Sequence, residues 1–345
     1  MRLCFYAAVS DPALFEIVEF YRQDIEILRS LGHEVRCASR PQQLRGDWDL
    51  AWVWWQTSGC PAVICARWRG RPAVLATALS DNDPSDSGMG PKSLPVRGLA
   101  RVGLAAATIV LPCSEDTLRG LRRYRTQELR TIPLGVDVVR YCPGAEPRDP
   151  MPTILTISHL TADNLTRKRL LDVVRTAAYL PSVRVKIAGR LADGASALQT
   201  EIALLGLESR VTLLGSVSPD EKLRLLREAH VYLQPTQYEA FGVAIAEAMA
   251  CGTPVVSSAV GNVPALVDDT GTLVADHAGP EDFADAVRAC LSLGPEAGAR
   301  ARVRIEKLYS TDIRREAVTA VLADVMRPRS PWWARRGSRN RPQPR

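Results

Sequence analysis

Residues 235–258 read PTQYEAFGVAIAEAMACGTPVVSS. A turn at Ala240, Phe241 and Gly242 precedes a helix predicted from about Val243 to Ala250, which Gly252 and Pro254 end. Two carboxylates eight positions apart, Glu239 and Glu247, therefore occupy different settings. One lies in the loop where the helix begins, and the other about one turn inside. Around Phe241, Gly242 and Val243 the unpaired backbone N–H groups and the positive end of the helix dipole suit a pyrophosphate. Gly242 lets such an anion approach the backbone closely. Val243, Ala244, Ile245, Ala246, Ala248, Met249 and Ala250 crowd Glu247, whereas a merely solvated glutamate would have more polar neighbours.

Outward from this stretch, strand-like and helix-like segments alternate. Toward the N-terminus lie "TILTISHL", "VRVKIAG", "VTLLG" and "VYLQPT" as strands, with "RLLDVVRTAAYL", "LQTEIALLGL" and "DEKLRLLREA" as the helices between them. The rhythm stops between Thr131 and Pro152, where proline, glycine and charge accumulate, and this marks a domain boundary. Before it the pattern runs again: a strand over Arg2 to Val9, a helix in "ALFEIVEFYRQDIEILRSLG", strands "HEVRCAS", "LAWVWW", "PAVLATAL" and "ATIVLPC", and helices "SGCPAVICARWRG" and "SEDTLRGLRRY". Strands alternating with helices predict parallel sheets covered on both faces. The fold class is α/β, with two Rossmann-like doubly wound domains facing across a cleft. The expected divisions are 1–145, 146–310, a last helix over 311–327 returning to the first domain, and a basic, disordered tail over 328–345.

A length of 345 residues suits two such domains. With 24% charged residues the body of the chain is neither disordered nor fibrous. The formal charge of +6 is traceable to the end "RPRSPWWARRGSRNRPQPR", rich in arginine and without an acid. That end reads either as a solvated tail or, with Trp332 and Trp333 among its arginines, as a peripheral contact with anionic membrane; nucleic acid is not expected as a partner. The eight cysteines form no CxxC pair and the start "MRLCFYAAVS" has no leader pattern, so reduced thiols in the cytoplasm are expected. No apolar run approaches the ~20 residues that span a bilayer. His33, His159, His230 and His277 are too scattered for a zinc site.

The stretch with Glu239 and Glu247 resembles the E-x7-E motif of family 4 retaining glycosyltransferases with the GT-B fold, and the likeness continues through "ACGTPVV" and "VGNVPALVDDTGTLV". It extends to "TISHL", "NLTRKRLLDVVRTAAYLP", "VKIAG", "ESRVTLLGSVSPDEKLRLLREAHVYLQPT" and the linker "TIPLGVDVVRYCP", covering about Thr131 to Val274. The resemblance implies that Glu239 lies beside the hydroxyls of the transferred sugar and the reaction centre. Glu247 would accept hydrogen bonds from ribose hydroxyls. Lys168, with Arg167 or Arg169 as helper, matches the basic residue that holds the donor diphosphate and stabilises charge on the leaving group; the same "RKR" also reads as solvated helix-start charge. Leu214 and Gly215 match the edge on which the base rests, and a buried strand end explains them as well.

Two departures accompany the resemblance. Where the family usually has "GRL", this chain has "SHL", so His159 stands in place of a phosphate-binding arginine; it reads as a weak or protonation-dependent phosphate ligand, or as a structural histidine. In the first domain the usual Gly-rich loop is replaced by Ala7, Ala8, Val9, Ser10 and Asp11, and the usual histidine by Ser80 or Asp81. Asp81, Asn82 and Asp83 read as sugar or acceptor contacts, or as a polar turn. Trp54 and Trp55 read as part of an acceptor groove or as packing.

The implied activity is transfer of a sugar, with retention, from a nucleotide-sugar donor to a sugar, lipid-linked or small-molecule acceptor. The first domain would be the acceptor side and the second the nucleotide-sugar side. No metal and no cofactor beyond the nucleotide-sugar co-substrate are implied. Rival readings are a nucleotide-sugar epimerase, which would form product from donor alone, and a binding protein without turnover. A dinucleotide-dependent oxidoreductase has no GxGxxG after any strand to support it.

Overall fold

The computed structural model describes residues 1–78, 93–145, 148 and 150–327. The first part comprises β1 (Arg2–Tyr6), α1 (Leu14–Ile17), α2 (Glu19–Ser30), β2 (Glu34–Ala38), β3 (Leu50–Trp54), α3 (Cys60–Trp68), β4 (Ala73–Thr77), α4 (Leu94–Ala106), β5 (Ile109–Pro112) and α5 (Glu115–Leu121). The second comprises β6 (Thr153–Ile157), α6 (Ala162–Arg167), α7 (Leu170–Ala178), β7 (Arg184–Ala188), α8 (Ala195–Leu204), β8 (Val211–Gly215), α9 (Pro219–Glu228), β9 (Val231–Gln234), α10 (Val243–Ala250), β10 (Val255–Ser258), α11 (Val263–Val267), β11 (Thr272–Val274), α12 (Pro280–Ser292), α13 (Pro295–Leu308) and α14 (Thr311–Met326). Ser80, Asp81, Asn82, Asp83 and the tail from 328, with Trp332 and Trp333, lie outside the described residues.

Two parallel sheets result, ordered β2-β1-β3-β4-β5 and β11-β10-β9-β6-β7-β8. Every residue of β3 and β4 is buried, which explains why these strands are apolar throughout and not alternating. The first sheet reverses its strand sequence between β1 and β3, the second between β6 and β9. One hydrophobic cluster runs from the first sheet (Leu3, Phe5, Trp52) through α14 (Val318, Val321, Leu322) to α10 (Ile245, Met249), so the two halves share a core.

The last helix packs on the first domain through a buried charge pair. Arg314 donates to Asp24 Oδ1 from Nε at 2.8 Å, and its Nη2 lies 2.7 Å from the same oxygen. The other oxygen of Asp24 accepts from the indoles of Trp52 and Trp54, each at 3.0 Å. A buried carboxylate is tolerated because its lone pairs are filled in this way.

The structure differs locally from the sequence reading at three places. β1 ends at Tyr6, short of Val9. The helix expected across residues 13–32 is broken at Val18, a β-branched residue with ψ of 113° that packs against the core. α4 gave no sequence signal because Pro95, Gly98 and Gly103 interrupt its period. Gly103 is required there, since a Cβ would meet the carbonyl of Gln56 at 2.5 Å.

Candidate functional site

Open α/β sheets hold ligands beyond the carboxyl ends of their strands, where the strand order reverses. In the second domain that place lies between β6 and β9. β6 leads to Ser158 and His159, and β9 leads through residues 235–242 to Glu239 and α10.

Lys168, the C-cap of α6, donates from Nζ to Glu239 Oε2, and Gln234 Nε2 donates to the same oxygen at 2.8 Å. Burial pushes the Glu239 carboxyl up, but Lys168, Arg167 and Gln234 outweigh it and hold the group below its ordinary value. Glu239 is therefore an anion at neutral pH. Arg167 Nη2 donates to Asn164 Oδ1 at 2.7 Å, and its Nε faces Asp163 at 3.5 Å as an ion pair without a hydrogen bond. The carbonyl of Arg167 accepts from Thr236 Oγ1 and Gln237 N at 2.9 Å, joining the basic turn to the Glu239 loop. Arg169 is turned elsewhere: it donates to Asp172 and to the carbonyls of Asp276 and Ala278, and lies over the Phe283 ring.

Gly242 begins α10 with φ of 97° and no side-chain cap. The left-handed φ demands glycine, and a Cβ there would also crowd Leu266 Cδ2 at 3.0 Å. At Gly261 a Cβ would strike the carbonyl of Glu239 at 2.4 Å. This close approach lets Asn262 N donate to Glu239 O at 2.8 Å and Asn262 Nδ2 to Phe241 O at 3.0 Å. Phe241 is buried edge-on to Tyr309, and Val243 is half-buried.

Glu247 is 2% exposed. Lys222 Nζ, from α9, donates to its Oε1 at 2.6 Å and lies 2.6 Å from Oε2, which has no hydrogen bond of its own among the described residues. Burial raises the Glu247 carboxyl, and Lys222 opposes that rise without cancelling it. Lys222 also sits 5.4 Å from the ring centroid of Tyr141, whose hydroxyl is pushed up by burial and by the neighbouring Glu247.

The remaining sequence candidates are more dispersed. His159 is exposed, its Nδ1 accepts from Arg190 N at 3.3 Å, and its carbonyl accepts from Asn164 Nδ2 at 2.8 Å. Leu214 and Gly215 lie on β8, the sheet edge two strands from β6; Leu214 packs on the core and the carbonyl of Gly215 accepts from Gly189 N at 2.8 Å. Sequence reasoning missed Lys222 and Gln234. In "DEKLRLLREA" the lysine reads as the solvated side of a helix, whereas a glutamine closing the apolar "VYLQ" was a usable signal. Two charge-lined surface pockets, one around Glu19, Gln23 and Thr311 and one around Lys186, Arg224 and Glu228, contain none of these residues. A cation, an anion and a bare helix end lie together beside the reversal of strand order.

Residues 151–292 match the family model described as Glycosyl transferases group 1. This match places residues 151–292, and not the whole chain, among the group 1 glycosyl transferase domains. A D-inositol 3-phosphate glycosyltransferase of Mycobacterium sp. (strain JLS) is 36% identical over 193 residues, 51% of this chain and 42% of that relative. One of the same name from Mycobacterium tuberculosis (strain F11) is 42% identical over 140 residues, 38% and 28% of the two chains. These matches thus span less than half the length of the relatives. Among solved structures, sucrose-phosphate synthase from Thermosynechococcus elongatus aligns with a TM-score of 0.79 at 18% identity, covering 94% of this chain and 99% of that one. Anabaena Alr3699/HepE, solved in complex with UDP and glucose, aligns with a TM-score of 0.74 at 18% identity over 94% and 100%. These likenesses establish the GT-B fold. Among the described residues no helix is long and apolar enough to cross a membrane.

Proposed function

We propose that the chain transfers a sugar from a nucleotide-sugar donor to an acceptor, with retention of anomeric configuration and without a metal ion or further cofactor. The observation that carries this is the Lys168–Glu239 pair beside the uncapped Gly242 end of α10, at the reversal of strand order. The donor diphosphate would take the α10 N–H groups and Lys168 as partners, which stabilise the charge left on it as the sugar departs. Glu239, held ionised, would accept hydrogen bonds from sugar hydroxyls and stabilise positive charge on the ring. Glu247 would receive the ribose hydroxyls with Lys222 behind it. Residues 1–145 would present the acceptor, with 146–310 as the donor domain and 311–327 tying the two together. Action in the cytoplasm, with the basic tail at an anionic membrane face, completes the proposal.

UDP-glucose is the first donor to try, because a structural neighbour was solved with UDP and glucose; inositol 3-phosphate is the first acceptor, from the name of the relatives. The expected result is UDP release that depends on acceptor, persists with a chelator and gives a product of retained configuration by NMR. An inverted product contradicts retention. An altered donor sugar formed without acceptor would identify an epimerase, and a donor that binds but stays intact would identify a binding protein.

A further inference from the structure

The chain neighbours of Glu239 are gripped from the other domain. The hydroxyl of Tyr238, a residue only 4% exposed, donates to Asp116 Oδ2 at 2.8 Å. Asp116 is 8% exposed and lies in the first turn of α5. Cys113, following β5, donates from Sγ to the carbonyl of Ala240 at 3.6 Å. The residues before and after Glu239 are thus both tied to the turn 113–116 of the first domain. From its own domain the same segment is held by Asn262 N on Glu239 O, and Thr236 Oγ1, whose one proton the carbonyls of Arg167 and Tyr238 share, lies 2.9 Å from Tyr238 O.

The gripping turn is itself braced. Ser114 Oγ caps α5 by accepting from Thr117 N at 3.1 Å, and Arg119 Nη2 donates to Asp116 Oδ1 at 3.0 Å. A buried phenol and a buried carboxylate are both costly to leave without partners. Parting the two domains would break this bond and remove one of the two walls that fix the Glu239 backbone. Closing them would restore both.

We infer that Asp116 and Tyr238 form a positioning pair, through which closure of the cleft sets the Glu239 carboxylate against Lys168 for transfer. The inference rests on the proposed transferase reading. It makes the active geometry a property of the closed two-domain body and not of the donor domain alone. Donor affinity, carried by Lys168, Glu247 and the α10 end, is separate from it.

The test compares Tyr238→Phe, Asp116→Ala and Asp116→Asn in the full chain, the last keeping an oxygen acceptor for the phenol. Tyr238→Phe and Asp116→Ala should each lower kcat by about tenfold while UDP affinity measured by calorimetry stays within about twofold. Combining them should cost no more than one alone, and Asp116→Asn should recover most of the rate. Independently of turnover, amide exchange over residues 238–241 should quicken in Tyr238→Phe and Asp116→Ala and stay slow in Asp116→Asn. Unchanged kcat, or unchanged exchange, in the first two variants overturns the inference. So does a loss of UDP affinity as large as the loss of rate. If Tyr238→Phe does not fold, the two Asp116 variants read the same bond from its other end. Absence of transfer by the natural chain would defeat the transferase reading, and the exchange measurement would still decide the clamp.

Discussion

Glu239 and Glu247 are the same residue, eight positions apart, each paired with one lysine, and folding moves their carboxyls in opposite directions. Glu239 lies at the loop end of α10, where Lys168, Arg167 and Gln234 together overcome burial. Glu247 lies inside the helix, where burial, with the Glu19 charge adding to it, prevails over Lys222 and the Tyr141 hydroxyl. The difference teaches that the number of polar partners, and not the presence of a single cation, decides whether a carboxylate in this protein is comfortably ionised. On the proposed reading, one end of the motif would remain an anion during chemistry, and the other would be a confined acceptor for hydroxyl groups.

Four changes would break or sharpen that contrast, taken from the largest effect down. Glu239→Gln removes the anion from the proposed reaction centre and should lower kcat by about 10²–10³-fold, with UDP affinity little changed in a calorimetric titration; equal losses in both would make it a binding residue. Lys168→Ala should weaken UDP by about tenfold or more while leaving uridine nearly unaffected, and equal weakening of the two would remove the diphosphate from this lysine. Lys222→Met should raise the Glu247 carboxyl further and weaken UDP by about threefold to tenfold at neutral pH, with affinity recovering as pH rises. A loss independent of pH would mean that Lys222 acts through packing.

The fourth change is a stability profile. Because the Glu239 carboxyl is lowered on folding, its contribution is present above the ordinary carboxylate value and is lost as pH falls through the lowered one. The Glu247 carboxyl is raised, so its contribution is full below the ordinary value and is lost as pH rises through the raised one. The Tm of the natural chain relative to Glu239→Gln should therefore fall toward acid, and relative to Glu247→Gln should fall toward neutral pH. Each difference should be about a few degrees, and parallel profiles would show that the two sites are alike.

Spacing and residue type were enough to single out Glu239, Gly242, Glu247 and Lys168 as candidates, because the two carboxylates straddle one short helix and the lysine sits in a basic turn after a strand; the pairing of Lys168 with Glu239 came only from the structure. The sheets were legible for a similar reason: parallel strands buried on both faces leave continuous apolar runs. What stayed hidden depends on contacts between distant segments. Nothing in "DIEIL" announces that Asp24 is buried between two indoles and Arg314. The pair Trp54 and Trp55 was ambiguous, and the structure divides it. Trp54 is in the core beside Asp24, whereas Trp55 is half-buried after β3 with φ of 72°. Tyr238 and Asp116 are 122 positions apart, and only the joining of the two domains brings them together.

The most direct test of the central claim, a nucleotide-sugar site built on Glu239, Lys168 and Glu247, is a thermal-shift screen of the natural chain and Glu247→Ala against UDP, GDP, ADP and their sugar conjugates, with and without a chelator. A ligand at a hundred times its Kd stabilises the folded state by about 2.7 kcal/mol, which is readily seen as a rise in Tm. The account predicts a chelator-insensitive rise with one nucleotide family that is lost or much reduced in Glu247→Ala. No rise with any nucleotide, or an equal rise in the variant, would contradict it.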